Sequence, residues 1–427
     1  MFSFIHAADV HIDSPLWGLE RYEGAPVDEI RGATRRSFEN LVTLAIEEKV
    51  DFVIIAGDLY DGEWKDYSTA LFFVGEVSRL RDAGIQVFAV TGNHDAASQI
   101  TRSLRMPDNV TLFSTRKPQT IRLDSLGVAL HGQSFAQRMV TEDLSASYPD
   151  ALSGYFNIGV LHTALTGREG HETYAPCRVD ALLERNYDYW ALGHVHKREV
   201  LNENPWILFP GNTQGRHIRE RGPKGCTLVS VSDDRSVTLE HRDLHVLEWA
   251  LCEVEASGAN SPEDIVERTR ELVEQRVAEC RSGLLAVRVI IDGPCRAHDP
   301  LVAEPVRWIN EIRSSITDAS AGTVWIEKVQ FRTRTQVALE EALNRNDALG
   351  DLLRFINSLD STDEVLASLK DELQAFRAKL PIEIFHGPDA VDLLNPENTK
   401  ETLEETKQFL IPRLLTEIGR ASCRERV

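Results

Sequence analysis

Short apolar runs alternate with amphipathic stretches along the first 244 residues. The runs FSFIHAAD, DFVIIAGD and IQVFAVTGNHD predict strands that end in polar loops. Between them, SFENLVTLAIEEKV places Phe38, Leu41, Val42 and Ala45 on one helical face, and STALFFVGEVSRLRDAG predicts a helix that ends at a glycine. This β-α-β-α-β alternation predicts parallel strands in an α/β fold.

The second half of this region is rich in strand patterns and poor in helical ones. Six further strands are predicted from the runs GVALHGQ, FNIGVLH, YDYWALGH, WILFPG, CTLVSVS and SVTLEHRDL. We therefore expect a second, partly antiparallel sheet packed on the first. The first domain is predicted to span residues 1–247.

Residues 248–335 repeat a β-α-β-α-β pattern and are predicted to form a smaller α+β domain. Its first helix opens with Ser-Pro-Glu-Asp, which supplies an N-cap, a proline at the first helical position and acidic residues in the first turn. Residues 417–427, EIGRASCRERV, show no periodicity and are expected to be a non-native tail.

Residues 336–416 are predicted to be helical, with one prominent apolar stripe. Its members repeat at helical spacing and are Leu366, Leu369, Leu373, Phe376 and Leu380. The stripe is compatible with packing inside its own domain and with a docking surface for a partner helix.

Composition limits the class of protein. The chain has 427 residues, 42% hydrophobic and 27% charged, and no apolar run long enough to span a membrane. The N-terminus lacks the pattern of a signal peptide, and six scattered cysteines without a C-x-x-C pair favour free thiols in the cytoplasm. A net charge of −20 argues against a protein that simply coats nucleic acid, so any phosphate site must be locally positive.

Polar side chains suited to metal binding follow five of the predicted strands. Ligands in open α/β sheets bind beyond the carboxyl ends of strands, and glycine precedes three of these groups, where the backbone must turn sharply. The candidate ligands are Asp9, His11, Asp58, Asn93, His162, His194 and His196.

Each candidate also has a simpler interpretation. Asp58 is compatible with a helix cap, Asn93 with a turn, His162 with a satisfied core histidine, and His194 with His196 as a solvated pair at a strand end. The coincidence of metal-ligand chemistry at five strand ends favours a metal centre.

Seven ligands exceed the four of a structural zinc and suit two ions that share one carboxylate. Carboxylate, amide and imidazole donors without thiolate favour Mn²⁺ over Fe²⁺, Zn²⁺ or Mg²⁺. Two divalent ions with Asp9 and Asp58 leave a surplus of two positive charges, which attracts phosphate. The predicted reaction is phosphoester hydrolysis by a water that the ions activate.

The motifs HAADVHID, AGDLYD, TGNHD, VLHT, GHVH and PGNTQGR resemble those of the calcineurin-like metallophosphoesterase superfamily, in the same order. Within it the chain is similar to SbcD-like break-repair nucleases of the YhaO branch. The resemblance implies a four-layer α/β/β/α sandwich with two Mn²⁺. It implies one ion on Asp9, His11, Asp58 and His196 and the other on Asp58, Asn93, His162 and His194.

The resemblance also implies catalytic and assembly roles. His94 would contact the scissile phosphate and protonate or stabilise the leaving oxygen, and Asp61 would orient His94. The family implies a DNA exonuclease or endonuclease in DNA repair, usually a homodimer, with an SbcC-like coiled-coil ATPase as partner. That partner would dock on residues 336–416.

Substrate contacts are predicted in the stretch PGNTQGRHIRERGPKG. Its candidate DNA-binding residues are Arg216, His217, Arg219, Arg221 and Lys224. The stretch is also compatible with a solvated loop, whose charge Glu220 partly offsets. Two other functions stay open at this point: a small-molecule phosphodiesterase or phosphatase on the same fold, and a non-catalytic scaffold for an ATPase.

Overall fold

The computed structural model describes residues 1–16, 32–61, 68–97, 106–165, 174–280, 283–320, 322–335 and 346–358, with 374–376, 379, 402–403, 406–407, 410 and 414. The chain divides into two compact units. The first comprises Met1–Trp249 with Cys280–Leu285, and the second Ala250–Glu279 with Ala286–Val427.

The first unit contains twelve strands among its described residues. They are β1 (Phe2–Ala7), β2 (Phe52–Ala56), β3 (Gln86–Val90), β4 (Val110–Leu112), β5 (Gln119–Leu123), β6 (Val128–Gly132), β7 (Phe156–His162), β8 (Tyr189–Gly193), β9 (Glu199–Glu203), β10 (Trp206–Phe209), β11 (Gly225–Val231) and β12 (Val237–Asp243). Its helices are α1 (Ala33–Glu47), α2 (Ser68–Asp82), α3 (Asn93–Ala97) and α4 (Val179–Leu183), with a 3₁₀ turn at Leu144–Ser147.

The strands form two six-stranded sheets. The first has the order β12-β11-β1-β2-β3-β4, in which β1 to β4 are parallel and β11 runs antiparallel to β1. The second has the order β5-β6-β7-β8-β10-β9, with a parallel centre and an antiparallel strand at each edge. The carboxyl ends of the parallel strands of each sheet therefore lie together at one edge.

Three apolar layers hold the unit together. The helices α1 and α2 cover the outer face of the first sheet, with Phe38 and Phe73 in the cluster. Between the sheets, Phe4 and Phe52 stack with ring centroids 5.0 Å apart and Tyr189 meets Phe4 edge-on. On the outer face of the second sheet, Trp190 packs against α4 and the 3₁₀ turn region. The predicted four-layer α/β/β/α sandwich is confirmed, and the described residues of its last layer form short helical segments.

Two strands lie in a different sheet from the one predicted. The runs CTLVSVS and SVTLEHRDL form β11 and β12, which extend the first sheet beyond β1. Adjacency in sequence suggested the second sheet, but β1 has an open edge that only a later segment can pair. The antiparallel ladder from Phe2 and Val231 to His6 and Thr227 fills that edge.

The second unit contains a three-stranded sheet of order β13-β14-β15, formed by β13 (Glu248–Glu255), β14 (Leu285–Cys295) and β15 (Val324–Thr335). Its helices are α5 (Pro262–Glu279), α6 (His298–Ala303), α7 (Pro305–Ala319) and α8 (Ala348–Ser358). The predicted cap is present at α5, because Asp264 accepts hydrogen bonds from the Asn260 and Ser261 amides and donates its own amide to Ser261 Oγ.

The C-terminal predictions fall mostly outside the described residues. Of the apolar stripe, only Phe376 is described, and its side chain is exposed. Residues 417–427 lie outside the described part of the chain. Among the described helices, none is long and apolar enough to cross a bilayer. None of the five described cysteines is part of a disulfide.

Candidate metal centre

The loops after β1 and β2 are joined by backbone hydrogen bonds. The amides of Asp9 and His11 each donate to a carbonyl of the second loop, those of Gly57 and Asp58, at 3.0 Å. This pairing continues the parallel ladder of the strands beyond their ends. It fixes three candidate ligands from two segments relative to one another.

Four candidate ligands adopt a left-handed backbone that is uncommon outside glycine. The φ angles are 51° at Asp9, 47° at His11, 50° at Asp58 and 104° at His194. Residues other than glycine persist there only when surrounding structure holds them, and such positions cluster at functional sites. The sharp turns let the strand ends direct these side chains into one pocket.

One group of possible ligands combines Asp9, His11 and His196, whose ligand atoms lie within 4.8 Å of one another. His196 Nε2 is 3.2 Å from His11 Nε2 and 3.7 Å from Asp9 Oδ1. The other ring nitrogen, Nδ1, contacts Glu220 Oε1 at 2.5 Å. The Asp9 carboxylate also accepts the His194 amide at 2.9 Å, which links both groups of ligands.

A second group combines Asp58, His162 and His194. His162 Nδ1 donates to the Ala56 carbonyl at 2.9 Å, so its Nε2 carries a lone pair. That Nε2 lies 3.1 Å from Asn93 Oδ1 and 3.5 Å from Asp58 Oδ2. Three electron-pair donors thus face one another, an arrangement that a cation between them would stabilise.

Glycine makes room for this cluster. A Cβ at Gly92 would lie 2.2 Å from Asp58 Oδ1, and one at Gly57, where φ is +96°, would lie 2.3 Å from His162 Nδ1. Together with the oxygen and imidazole donors, this close approach fits a pair of divalent ions. All seven candidate ligands lie in the two neighbouring groups or, for Asn93, in contact with one of them.

His94 and Asp61 lie beside these groups. The His94 amide donates to Asp58 Oδ1 at 2.9 Å, and its ring Nδ1 is 3.0 Å from Asp61 Oδ1. Asp61 also accepts from Ser14 Oγ at 2.8 Å and lies 3.4 Å from Arg216 Nη1. His94 is close enough to His11 and Asp58 to count as a possible ligand itself, whereas the family resemblance implies that it contacts the scissile phosphate.

Burial and neighbouring groups shift the pKa values of the two buried carboxylates, Asp9 and Asp58, in opposite directions. Burial, followed by the neighbouring charge of Asp58, raises the pKa of Asp9. For Asp58, burial also favours the neutral form, but electrostatic interactions with the His162, His11 and His94 imidazoles and the hydrogen bond from the His94 amide outweigh it and lower the pKa. Two buried carboxylates that repel one another are typical of a cation site.

The pKa values of the histidine rings also shift in opposite directions. Burial lowers the pKa of His11 to about 3, with help from the Arg216 charge, and burial also lowers the pKa of His162. These rings are neutral near pH 7, the form that binds metals. Burial opposes protonation of His94 too, but the Asp61 hydrogen bond and the Asp58 charge raise its pKa.

The buried Asp95 carboxylate holds two loops of the site together. Its carboxylate accepts the amides of Leu59 at 3.2 Å, Tyr60 at 2.9 Å and Gly92 at 3.1 Å. Burial and the Asp58 charge raise its pKa to about 7, against these three hydrogen bonds. Asp95 thereby ties the loop after β2 to the loop after β3.

A cleft of about 760 Å³ opens on the site and is rich in positive charge. Two carboxylates, Asp58 and Glu220, are among its described lining residues. The cations that line it are Arg138, Lys197, Arg216, Arg219, Arg221 and Lys224. All five predicted DNA-contact residues, including His217, therefore border the cleft.

These residues differ in their exposure. Arg219 and Arg221 are exposed, whereas Lys224 is buried and donates to the His196 carbonyl at 3.0 Å. Arg216 is also largely buried, between Asp61 and Glu220. The charge balance predicted from sequence counted only the two ions and the carboxylates of Asp9 and Asp58. The Arg216 guanidinium and the carboxylates of Asp61 and Glu220 add a net charge of −1, so they reduce the expected positive surplus.

Sequence reasoning missed several cleft residues. Arg138 lies in the loop after β6 and Tyr174 meets the His194 ring edge-on, and neither belongs to a recognisable motif. Lys197 directly follows His196, and that adjacency was a usable signal. The contacts of Glu220 depend on the folded loop and have no sequence signature.

The fold and the cluster of oxygen and imidazole donors define a metal-dependent phosphoesterase. Comparison with known proteins agrees, because the calcineurin-like phosphoesterase family matches residues 2–198 and the middle domain of metallophosphoesterase YhaO matches residues 249–334. The uncharacterized metallophosphoesterase YhaO of Bacillus subtilis (strain 168) is 31% identical over 422 residues, which cover 97% of this chain and 98% of that protein. The chain therefore belongs to the calcineurin-like metallophosphoesterase family.

More distant relatives carry a name tied to DNA. The DNA double-strand break repair protein Mre11 of Methanopyrus kandleri is 29% identical over 300 residues, covering 62% of each chain. The protein of the same name from Haloferax volcanii is 27% identical over 274 residues, covering 64% of this chain and 58% of its own. The similarity thus spans about three fifths of these relatives.

Proposed function

We propose that the chain is a two-metal DNA exonuclease or endonuclease of DNA repair in the cytoplasm, most active with Mn²⁺. One observation carries the choice of substrate. Four exposed cationic side chains surround the cleft, although the chain has a net charge of −20: Arg138, Lys197, Arg219 and Arg221. An extended polyanion makes use of such a rim, since phosphate contacts position a nucleic acid. The Mre11 relatives support the same choice.

The proposed ligand sets follow the two groups of side chains. Asp9, His11 and His196 would hold one ion and Asn93, His162 and His194 the other, and Asp58 would contribute to both. Divalent ions at such a site lower the pKa of water and offset charge on the phosphate. The fixed backbone of the ligands keeps this arrangement from reorganising during the reaction.

The chain supplies the proton for the leaving oxygen from His94. Its ring contacts Asp61 at 3.0 Å through Nδ1, so Nε2 is the atom that faces substrate. The Asp61 carboxylate holds the ring in this orientation, and Ser14 and Arg216 hold the carboxylate. Arg219 and Arg221 contact phosphates farther along the strand.

We extend the proposal to a homodimer and to an SbcC-like coiled-coil ATPase that docks on residues 336–416. The family resemblance supports both. The described helix α8 at the start of this region exposes Phe355 and Leu352, which is compatible with a partner surface.

A nuclease assay with Mn²⁺ on blunt and hairpin DNA, with and without a coiled-coil ATPase, tests the function. Cleavage that Asp58→Ala or His94→Ala abolishes is the expected result. Turnover of bis-p-nitrophenyl phosphate and cyclic nucleotides is measured beside it. Activity confined to these small diesters would replace the nuclease with a small-molecule phosphodiesterase, and failure to bind metal would favour a non-catalytic scaffold.

A further inference from the structure

Glu220 is a buried carboxylate at the meeting point of a candidate ligand and the cationic loop. It lies between β10 and β11, and its side chain is 7% exposed. Oε1 contacts His196 Nδ1 at 2.5 Å, while Oε2 accepts the Asn212 side-chain amide at 2.9 Å and the Arg216 backbone amide at 2.7 Å. Both oxygens are therefore engaged.

These contacts determine which nitrogen of His196 carries the proton. An ionised carboxylate only accepts hydrogen bonds, so His196 Nδ1 must donate to Glu220. Arg216 Nη2 also lies 3.3 Å from Nδ1, but it cannot donate to a nitrogen that already bears a proton. The shorter contact with the carboxylate is charge-assisted and prevails. His196 Nε2 is then left with its lone pair toward Asp9 and His11.

The other candidate ion does not depend on this carboxylate. His162 obtains the same tautomer from the Ala56 carbonyl at 2.9 Å, on the strand β2. The two halves of the centre thus use different devices to orient a histidine. One uses the main chain of a central strand, and the other a side chain of the loop that carries Arg219 and Arg221.

We propose that Glu220 is a positioning residue that builds the ion site of Asp9, His11 and His196 and couples it to the cationic loop. The proposal rests on the two-metal function proposed above. Loss of such a partner of a ligating histidine costs about 10–100-fold in metal affinity. The loss is expected at one ion only.

Titration of Mn²⁺ into metal-free protein tests this by calorimetry. The wild type is expected to bind two equivalents. Glu220→Ala should weaken one of them about 10–100-fold and leave the other unchanged, with Glu220→Gln intermediate because its amide oxygen still accepts from His196. Imidazole ¹⁵N spectra of the metal-free protein should show the Nδ1–H tautomer of His196, and a mixture of tautomers in Glu220→Ala.

Two matched variants separate this role from simple anchoring of the loop. Asn212→Ala removes a contact of Oε2 but leaves His196 held, and Glu240→Gln alters an exposed glutamate of β12. Both should bind two ions as the wild type does. Equal weakening of both ions in Glu220→Ala, or an Asn212→Ala variant that matches it, would overturn the proposal. If Glu220→Ala does not fold, Glu220→Gln and the tautomer spectra decide.

A different result would show that the proposed two-metal function, rather than the role of Glu220, is wrong. Wild-type protein that binds fewer than two ions would overturn the two-metal proposal itself. Two ions bound by the wild type and by both Glu220 variants with equal affinity would leave the function standing and remove only the role of Glu220.

Discussion

At the scale of single residues, the centre depends on backbone conformations that few side chains tolerate. Asp9, His11 and Asp58 have φ near +50° and His194 has φ of 104°. Such conformations cost on the order of 1–3 kcal/mol each. The surrounding hydrogen bonds, including those between the loops after β1 and β2, must offset that cost before any ion arrives.

Replacement of His94 separates proton donation from metal binding. His94→Gln should lower kcat on DNA by about 10²–10⁴-fold, because the leaving oxygen is no longer protonated. Bis-p-nitrophenyl phosphate should be affected far less, since its leaving group departs without a proton. Mn²⁺ stoichiometry should stay at the wild-type value.

The control for this prediction is His241→Gln, which alters a histidine of β12 paired with Asp243. It should match the wild type on both substrates. An equal loss on both substrates would argue against general acid catalysis, and loss of an ion would make His94 a ligand.

A methyl group at Gly92 should remove metal binding without unfolding the chain. The new Cβ would lie 2.2 Å from Asp58 Oδ1, so the shared carboxylate must move. Calorimetry with Mn²⁺ and the thermal midpoint Tm report the two effects. Gly75→Ala, in α2, is the matched control, because no described atom lies within 4 Å of its Cβ.

In that control, Mn²⁺ binding should be unchanged and stability should rise by about 0.5–1 kcal/mol, the usual gain for alanine inside a helix. Retention of both ions in Gly92→Ala would show that the carboxylate of Asp58 is not held against the strand end as described.

Some residues of the site could be predicted from the sequence and others could not. The candidate ligands stood out because their residue types and strand-end positions are local features. The roles of Glu220 and Asp95 were not predictable, since each carboxylate acts on a group from another segment: His196 in one case, Leu59 in the other.

At the scale of elements, a buried histidine links the two sheets. His6 of β1 contacts the Tyr189 hydroxyl at 2.9 Å and the Leu192 carbonyl at 3.1 Å, both on β8. Burial lowers the pKa of His6 to about 3, although the hydrogen bond to Leu192 acts the other way. The neutral ring therefore donates from Nε2 and accepts from Tyr189.

Because of this buried histidine, the free energy of unfolding decreases as the pH falls. In the unfolded chain, His6 binds a proton below about pH 6.5. In the folded chain, it stays neutral until the pH falls to about 3. The contribution is complete above pH 6.5 and is lost as pH falls through that window, at about 1.4 kcal/mol per pH unit. Denaturant unfolding in EDTA measures it.

In His6→Gln the slope of unfolding free energy against pH should be smaller by about one proton in this window. Tyr189→Phe is the control, because it removes the hydroxyl contact but keeps the imidazole, so its stability drops while its slope stays. Parallel curves for the wild type and His6→Gln would contradict the assignment.

Element patterns were predictable where apolar periodicity was strong, as in α1 and in the run of β7. Sheet membership was harder, because β11 and β12 could pair with either sheet by pattern alone. The open edge of β1 decided it, and that edge exists only once the parallel strands have formed.

At the scale of the whole molecule, charge is unevenly distributed. The chain carries −20, yet the cleft exposes four cations. For the proposed nuclease, the acidic remainder would repel nucleic acid while the rim would attract it, which would direct DNA to the cleft. Net charge alone gave no sign of the cationic cleft, because it sums over the whole chain.

Salt should therefore weaken DNA binding steeply. In a His94→Gln background, Arg219→Gln and Arg221→Gln should each reduce the slope of log affinity against log salt by about 0.9 for duplex DNA. Fluorescence anisotropy measures the affinity. Arg122→Gln, at the β5 edge of the second sheet and outside the cleft lining, should leave the slope intact. Unchanged slopes in both cleft variants would remove them from the DNA path.

The pairing of Phe2 with Val231 has a consequence for synthesis. A nascent chain that has left the ribosome only as far as residue 200 already exposes all seven candidate ligands, but β1 still has an unpaired edge, because β11 and Glu220 have not yet emerged. An unpaired edge strand invites pairing with other chains, and contacts this distant in sequence form slowly. The newborn protein is thus most prone to aggregate just before its reactive centre closes.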